Sequence, residues 1–300
     1  MDIFAVFSAR FPYALTEKNF SFSAHTTIGC GGRAALAVSP RNTEECAEIL
    51  CFLRQRGIPH LFLGAGANSI ADDESYDGVV VRFAKMKALF CDGTLVYAGA
   101  GVGGAELLKF AKENGVGGFE PLAGIPTSVG GGTAMNAGIR DGHFCDWVER
   151  VVAVDQGKIR TLSFKECGYS EKNSVFLSGI AVAGVYLRGI ESFAEEIETR
   201  VCYYRTRRAN LPKGRSMGCT FVNPVGQSAG EIIDRCGLKN LRVGGAFVSP
   251  KHANFIINEG GTSSDVKKLI EEIKIRVKAR AGIVLREEIR RITEGSKNRS

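Results

Sequence analysis

The chain has 300 residues, 44% hydrophobic and 24% charged, which are ordinary globular values that exclude a disordered or fibrous protein; this length favours more than one compact unit. The net charge of +7, from 39 basic and 32 acidic residues, favours an anionic partner, and a phosphorylated small molecule satisfies it as well as nucleic acid does. No apolar stretch approaches a membrane span, the start Met1–Phe11 has an acid at Asp2 and lacks the signal-peptide pattern, and the nine cysteines are odd in number with no C-x-x-C pair. They read as reduced thiols, and the chain is expected to be cytoplasmic, with no membrane partner, no metal and no obligate protein partner.

Helix and strand patterns alternate along the first part of the chain. Asn42-Thr43-Glu44-Glu45 predicts a helix start, with Cys46, Ile49, Leu50 and Leu53 on one face and Gly57 as its stop. Ile58–Leu63 reads as a short buried strand running into Gly64-Ala65-Gly66-Ala67-Asn68-Ser69. Strands are predicted at 78–83, 95–98 and 151–154, and a helix over 105–114 that Gly115 stops. From 193 to 215 a charged helical stretch followed by Tyr203-Tyr204-Arg205-Thr206-Arg207-Arg208 marks a connecting region. Beyond it, Ser228 to Glu231 opens a helix ending at Gly237, and about 265–280 forms a longer helix striped by Val266, Leu269, Ile270, Ile273 and Val277. Ile283–Ile289 then reads as a strand, with Ile283, Leu285 and Ile289 on one face and Arg286, Glu288 and Arg290 on the other, which pattern alone would leave solvated.

Glycine is the one excess in the composition, at 37 residues, and it concentrates in two loops. Gly64 to Ser69 offers consecutive backbone N–H groups with little side-chain obstruction, which suits a pyrophosphate. The G-x-G-x-x-G dinucleotide fingerprint would need glycine at position 69 and a strand acid about twenty residues on; serine and Ala84-Lys85-Met86-Lys87 stand there instead. The second run, Gly124-Ile125-Pro126-Thr127-Ser128-Val129-Gly130-Gly131-Gly132 followed by Met135-Asn136-Ala137-Gly138, would give one domain two loops able to clamp a dinucleotide.

Six segments in order, namely Thr26–Gly32, Leu63–Ser69, Ala123–Gly138, Cys219–Pro224, Gly244–Asn258 and Leu285–Ile292, resemble the motifs of the UDP-N-acetylenolpyruvoylglucosamine reductases, the MurB family. The short spacing from Arg208 to Cys219 is similar to the form lacking an extra substrate-covering loop. The resemblance implies an α+β protein with a bipartite FAD-binding domain of the vanillyl-alcohol oxidase and p-cresol methylhydroxylase (PCMH) type, followed by an α+β substrate-binding domain. The expected division is 1–192, with subdomains of about 1–88 and 89–192, then a connection at 193–215, the substrate domain at 216–293 and a disordered tail at 294–300. Gly64, Ala65, Gly66, Ala67, Asn68 and Ser69 would hold the FAD pyrophosphate, and Gly124, Ile125, Pro126, Thr127, Ser128, Gly130, Gly131, Asn136, Ala137 and Gly138 would line the flavin and its ribityl chain.

The reaction implied is the reduction of UDP-N-acetylglucosamine enolpyruvate, with NADPH as co-substrate and FAD bound non-covalently, for no flavin-attachment motif is present. Hydride reaches the vinyl terminus of the enolpyruvyl ether, and charge gathers as an enolate that needs stabilisation and a proton. Cys219 occupies the position of the family's proton-donating serine; a thiol with its ordinary pKa near ~8.5 is a far stronger acid than a hydroxyl. Glu288 aligns with the family's catalytic glutamate. Lys172, in Glu171-Lys172-Asn173-Ser174, stands where the family has arginine in Tyr-Arg-x-Ser, keeping the charge and losing the bidentate fork. Asn223 matches a residue that contacts the UDP portion, and Arg208, within the basic cluster Arg205, Arg207, Arg208, Lys213 and Arg215, suits a diphosphate. His252 is expected to be structural. The competing readings are another FAD-linked oxidase of the same fold and a basic nucleic-acid-binding protein, which would purify colourless.

Overall fold

A computed structural model describes residues 2–293; the tail expected to be disordered lies outside the described residues. Near the N-terminus, four strands run in the order Leu15–Ser21, Arg33–Ser39, Tyr76–Arg82, His60–Leu63, the first pair antiparallel and the others parallel. Both faces of this sheet are covered. Leu36, Val38, Val79 and Val81 enter the largest core, while Ala37, Val80, Leu61 and Leu63 pack with Phe20, Phe22 and Tyr76 in a smaller one, the period-two alternation of strands buried on two sides. The helix Thr43–Gln55 lies on the first face, for Asn42 accepts the Glu45 N–H at 2.8 Å and all four predicted stripe residues are buried. Gly57, at φ 62°, follows its end.

A second sheet of five antiparallel strands runs Lys158–Ser163, Val148–Asp155, Ala181–Arg188, Leu95–Gly99, Leu89–Asp92. The short helix Val129–Ala134 packs on its middle, and here glycine serves close approach. A Cβ on Gly130 would fall 2.7 Å from that of Ala100, and one on Gly132 would fall 2.1 Å from the Phe144 ring. The tyrosine–arginine run expected after a helix lies inside one: Ala194–Ala209 is continuous, and Ile197 and Val201 bury it in the largest core. The charged faces of that helix masked its narrow apolar stripe in the sequence.

In the C-terminal part, the helix Ser263–Ala281 packs on a three-stranded sheet, Arg242–Val243, Ala246–Val248 and Ile256–Asn258. Thr262 and Asp265 form its capping box, Gly282 at φ 71° ends it, and Val266, Leu269, Ile270, Ile273 and Val277 are all fully buried. Ser228 caps the helix Ala229–Arg235 by accepting the Glu231 N–H. This core also takes in Ile28, Cys30 and Ile70 from the early chain.

The strand expected over 283–289 is absent. The segment is extended but makes an isolated antiparallel bridge, Phe221 with Glu287, flanked by the bonds Val222 N–H to Arg286 O and Glu288 N–H to Thr220 O, both 2.9 Å. Its partner, Cys219–Val222, is bounded by Gly218 and Pro224 and is too short to support a ladder. Regular pairing begins at Arg290, where Arg290–Ile292 runs parallel to Ser69–Ala71. No helix among the described residues is long and apolar enough to cross a membrane.

Candidate active site

The parallel pairing of Arg290–Ile292 with Ser69–Ala71 brings distant parts of the chain together around a cavity of about 1450 Å³. Gly64, Ala65, Gly66, Ala67, Asn68 and Ser69 all line it, as do Ile125, Pro126, Thr127, Gly130, Gly131, Ala137 and Gly138. The two glycine loops touch, since a Cβ on Gly64 would sit 2.8 Å from Ser128 Oγ. Three residues expected at the cofactor do not line the cavity; they build its wall. Gly124, at φ 78°, turns beneath the Arg208 side chain, and Ser128 Oγ accepts the Gly131 N–H at 3.2 Å as a helix cap. Asn136 spends its side chain on the Cys145 N–H and the Ser170 carbonyl, both at 3.0 Å.

Cys219, Glu288, Lys172, Arg208 and Asn223, from four separate segments, all line the same cavity. Lys172 sits at φ 55° in a turn closed by reciprocal Ser170 and Asn173 main-chain bonds, and its Nζ lies 3.5 Å from Glu288 Oε1 and donates to the Gly138 carbonyl at 3.3 Å. The Asn223 Oδ1 accepts the Ala229 N–H at 2.9 Å, which leaves its Nδ2 for the cavity. Arg208 has a buried Nε with no hydrogen-bond partner among the described residues, and burial lowers its pKa.

The Cys219 thiol departs from the ordinary value expected of it. Burial, then the Glu288 carboxylate, push it up to about 11, against the opposing pull of Lys172 and Arg208. Burial likewise raises Glu288, with Lys172 acting the other way. The thiol therefore carries its proton at neutral pH.

A family model described as the C-terminal domain of UDP-N-acetylenolpyruvoylglucosamine reductase matches residues 210–292, and one described as an FAD binding domain matches residues 34–163. The chain is 35% identical over 274 residues to the UDP-N-acetylenolpyruvoylglucosamine reductase of Geobacter metallireducens, covering 90% of this chain and 91% of the relative. The chain belongs to the UDP-N-acetylenolpyruvoylglucosamine reductase family. The crystal structure of the family member from Thermus caldophilus superposes with a TM-score of 0.81 at 34% identity, covering 93% of this chain and all of that one. A solvent-stable cholesterol oxidase at 17% identity, with a TM-score of 0.50 over 60% of this chain and 38% of its own, shares the FAD-binding fold.

The residues of this reductase-family chain fit FAD. The backbone N–H groups of Ala65, Gly66, Ala67 and Asn68 find no acceptor among the described residues, which leaves four consecutive donors at the cavity for a pyrophosphate. Sequence reasoning missed the hairpin that carries Ile139, Arg140 and His143 into the cavity, and Arg290, which also lines it; no motif marks these positions. Arg208 faces the cavity, Arg207 pairs with Asp141 at 2.6 Å, and Arg215 donates to the Gly29 carbonyl. His252 lines the cavity with its Nδ1 accepting the Asn254 N–H at 3.3 Å, and burial lowers its pKa.

Gly66 sets the loop, because at φ 66° its missing Cβ would lie 2.2 Å from the His25 carbonyl oxygen. Gly66→Ala should cost the bound loop conformation about 1–3 kcal/mol and lower flavin occupancy correspondingly. The check is the flavin-to-protein absorbance ratio after gel filtration; full occupancy would show that the loop tolerates a side chain.

Proposed function

We propose that NADPH is the hydride donor, that FAD is held non-covalently, and that Cys219, Glu288 and Lys172 act on the enolpyruvyl group while Arg208 and Asn223 bind the UDP-sugar. The reaction of the family is the FAD-dependent reduction of UDP-N-acetylglucosamine enolpyruvate to UDP-N-acetylmuramate in peptidoglycan precursor synthesis, and this chain is an oxidoreductase of that kind. In keeping with it, residues 1–192 and 216–293 are taken as the flavin and substrate domains joined through 193–215, acting in the cytoplasm.

When bound, FAD supplies the passage of hydride from the nicotinamide to the vinyl terminus. What the protein must supply follows from the charge that this leaves on the neighbouring carbon and its carboxylate. Lys172 and Arg208 offer two cations at the cavity wall. Glu288, 3.5 Å from Lys172 Nζ, orients that cation and the substrate at the cavity. Cys219 gives its proton to the carbon, the sulfur keeps the electron pair as thiolate beside the same two cations, and water restores the proton. The observation that carries this reading is the convergence of Cys219, Lys172, Glu288 and Arg208 on one cavity from distant parts of the chain.

If FAD is non-covalent, acid precipitation leaves all the flavin in the supernatant; flavin retained by the polypeptide would overturn that point.

Glu288→Gln should leave the flavin reducible by NADPH and slow its reoxidation by substrate about 100-fold or more, as when a transition-state electrostatic partner is lost. Lys172→Met should weaken the same half. Stopped-flow absorbance of the two half-reactions checks both, and unchanged reoxidation removes the residue from the site.

Cys219→Ala should spare reduction by NADPH and abolish substrate-driven reoxidation, and Cys219→Ser should recover much of it. Since the neutral thiol is the donor, wild-type reoxidation holds below the thiol pKa of about 11 and falls as pH rises through it, whereas the serine variant shows no such fall. An alanine variant that reoxidises at the wild-type rate would make Cys219 a packed thiol and nothing more.

A further inference from the structure

We propose that Asn68 is a positioning residue for the reaction: its side-chain amide holds the Glu288 main chain in register with the cofactor loop and so fixes the Glu288 carboxyl against Lys172 and Cys219. The inference rests on the role given to Glu288 above.

The argument comes from the end of the parallel ladder. Residue 290 pairs with residue 69, and the Arg290 N–H donates to the Asn68 carbonyl at 2.9 Å. In a parallel ladder, the next rung back would run from the Asn68 main-chain N–H to the Glu288 carbonyl. Here the side chain makes that bond instead: Asn68 Nδ2 donates to the Glu288 oxygen at 3.1 Å, and the Asn68 main-chain N–H has no acceptor among the described residues. The substitution does two things at once. It lets the loop turn its N–H toward the cavity, and it keeps the catalytic segment anchored where regular pairing has stopped.

The other end of that segment is held with equal care. The Glu288 N–H donates to the Thr220 carbonyl at 2.9 Å, and the Thr220 N–H donates to the Asn254 carbonyl at 2.8 Å. The buried Asn254 amide closes a pair of bonds with the Phe221 N–H and carbonyl, at 2.9 and 2.8 Å. A continuous row of bonds therefore runs from the glycine loop through Glu288 to the residue after Cys219 and on to Asn254. Among the described residues, Asn68 is the single side chain that joins this row to the loop. Without it, the Glu288 carbonyl loses its donor, and the carboxyl is released from a fixed distance to Lys172 Nζ.

Asn68→Ala and Asn68→Ser are compared with Glu288→Gln and with the double variant Asn68→Ala with Glu288→Gln, all as holoenzyme at saturating FAD. The expected result is reoxidation by substrate slowed about tenfold or more beyond any change in reduction by NADPH, and no further loss of reoxidation on adding Asn68→Ala to Glu288→Gln, since both act through one carboxyl. A second readout does not depend on turnover. The pH midpoint of Cys219 alkylation by iodoacetamide, followed by mass spectrometry, should fall in both Asn68 variants as it does in Glu288→Gln, because the carboxylate that raises the thiol has moved away. Reoxidation slowed no more than reduction, effects that multiply in the double variant, or an alkylation midpoint left at the wild-type value would each overturn the proposal. Were Glu288→Gln itself to reoxidise normally, the catalytic reading of Glu288 would fall, and the alkylation midpoint would still decide whether Asn68 fixes that carboxyl.

Discussion

The site depends on one long-range pairing, the parallel ladder between Ser69–Ala71 and Arg290–Ile292. It joins segments more than two hundred residues apart, and a residue placed on one side of it is fixed relative to the other. Glu288 lies just before the ladder on one strand, and the Gly64 to Asn68 loop just before it on the other, so the proposed catalytic carboxyl and the cofactor loop share a single register. Side chains reinforce this on both flanks. Ile70 is buried with the C-terminal core, and Ile292 with Phe20 and Ala71 in the small N-terminal one. A contact spanning so much sequence carries a large loop-closure cost, so the site is complete only when both parts have folded.

Glycine serves this arrangement in three physically distinct ways, which explains its excess. Gly66 provides a left-handed turn where a side chain would strike the His25 carbonyl. Gly130 and Gly132 let a short helix sit directly on the Ala100 backbone and the Phe144 ring. The loop from Ala65 to Asn68 needs small residues so that its N–H groups stay open to the cavity. A sequence shows only that glycine is dense; which of the three needs operates at each position depends on what lies opposite.

The same distinction separates what was legible in the sequence from what was not. The helices Thr43–Gln55 and Ser263–Ala281 could be read closely, because their caps, stripes and stop glycines are all local. Residues 283–289 alternate like a strand but have only a four-residue neighbour to pair with, and no pattern within the segment reveals how short that neighbour is. The motif resemblance named Cys219, Glu288 and Lys172, and all three reach the cavity. It also named Gly124, Ser128 and Asn136, which are not among the residues lining the cavity; Ser128 caps a helix, and the Asn136 side chain bonds the Cys145 N–H and the Ser170 carbonyl. The high pKa of Cys219 was out of reach, for it arises from burial and from a carboxylate 69 positions further along the chain.

On the roles proposed for Cys219 and Lys172, the electrostatics of the wall account for both residues together. A serine hydroxyl is neutral in any surroundings, whereas a thiol at its ordinary pKa would be partly ionised near neutral pH, and a thiolate has no proton to give. Burial and the Glu288 carboxylate remove that difficulty by holding Cys219 protonated, as the proposed role requires. Lysine for arginine is the complementary change. A point charge on a flexible stem lacks a fork to orient it, and here the turn at Lys172, the Gly138 carbonyl and the Glu288 carboxyl supply the orientation from outside the side chain. The carboxyl thus has two tasks, raising the thiol and steering the ammonium, and both require it to stay at a set distance from each partner. That requirement is why the anchoring of the Glu288 main chain matters as much as the identity of its side chain.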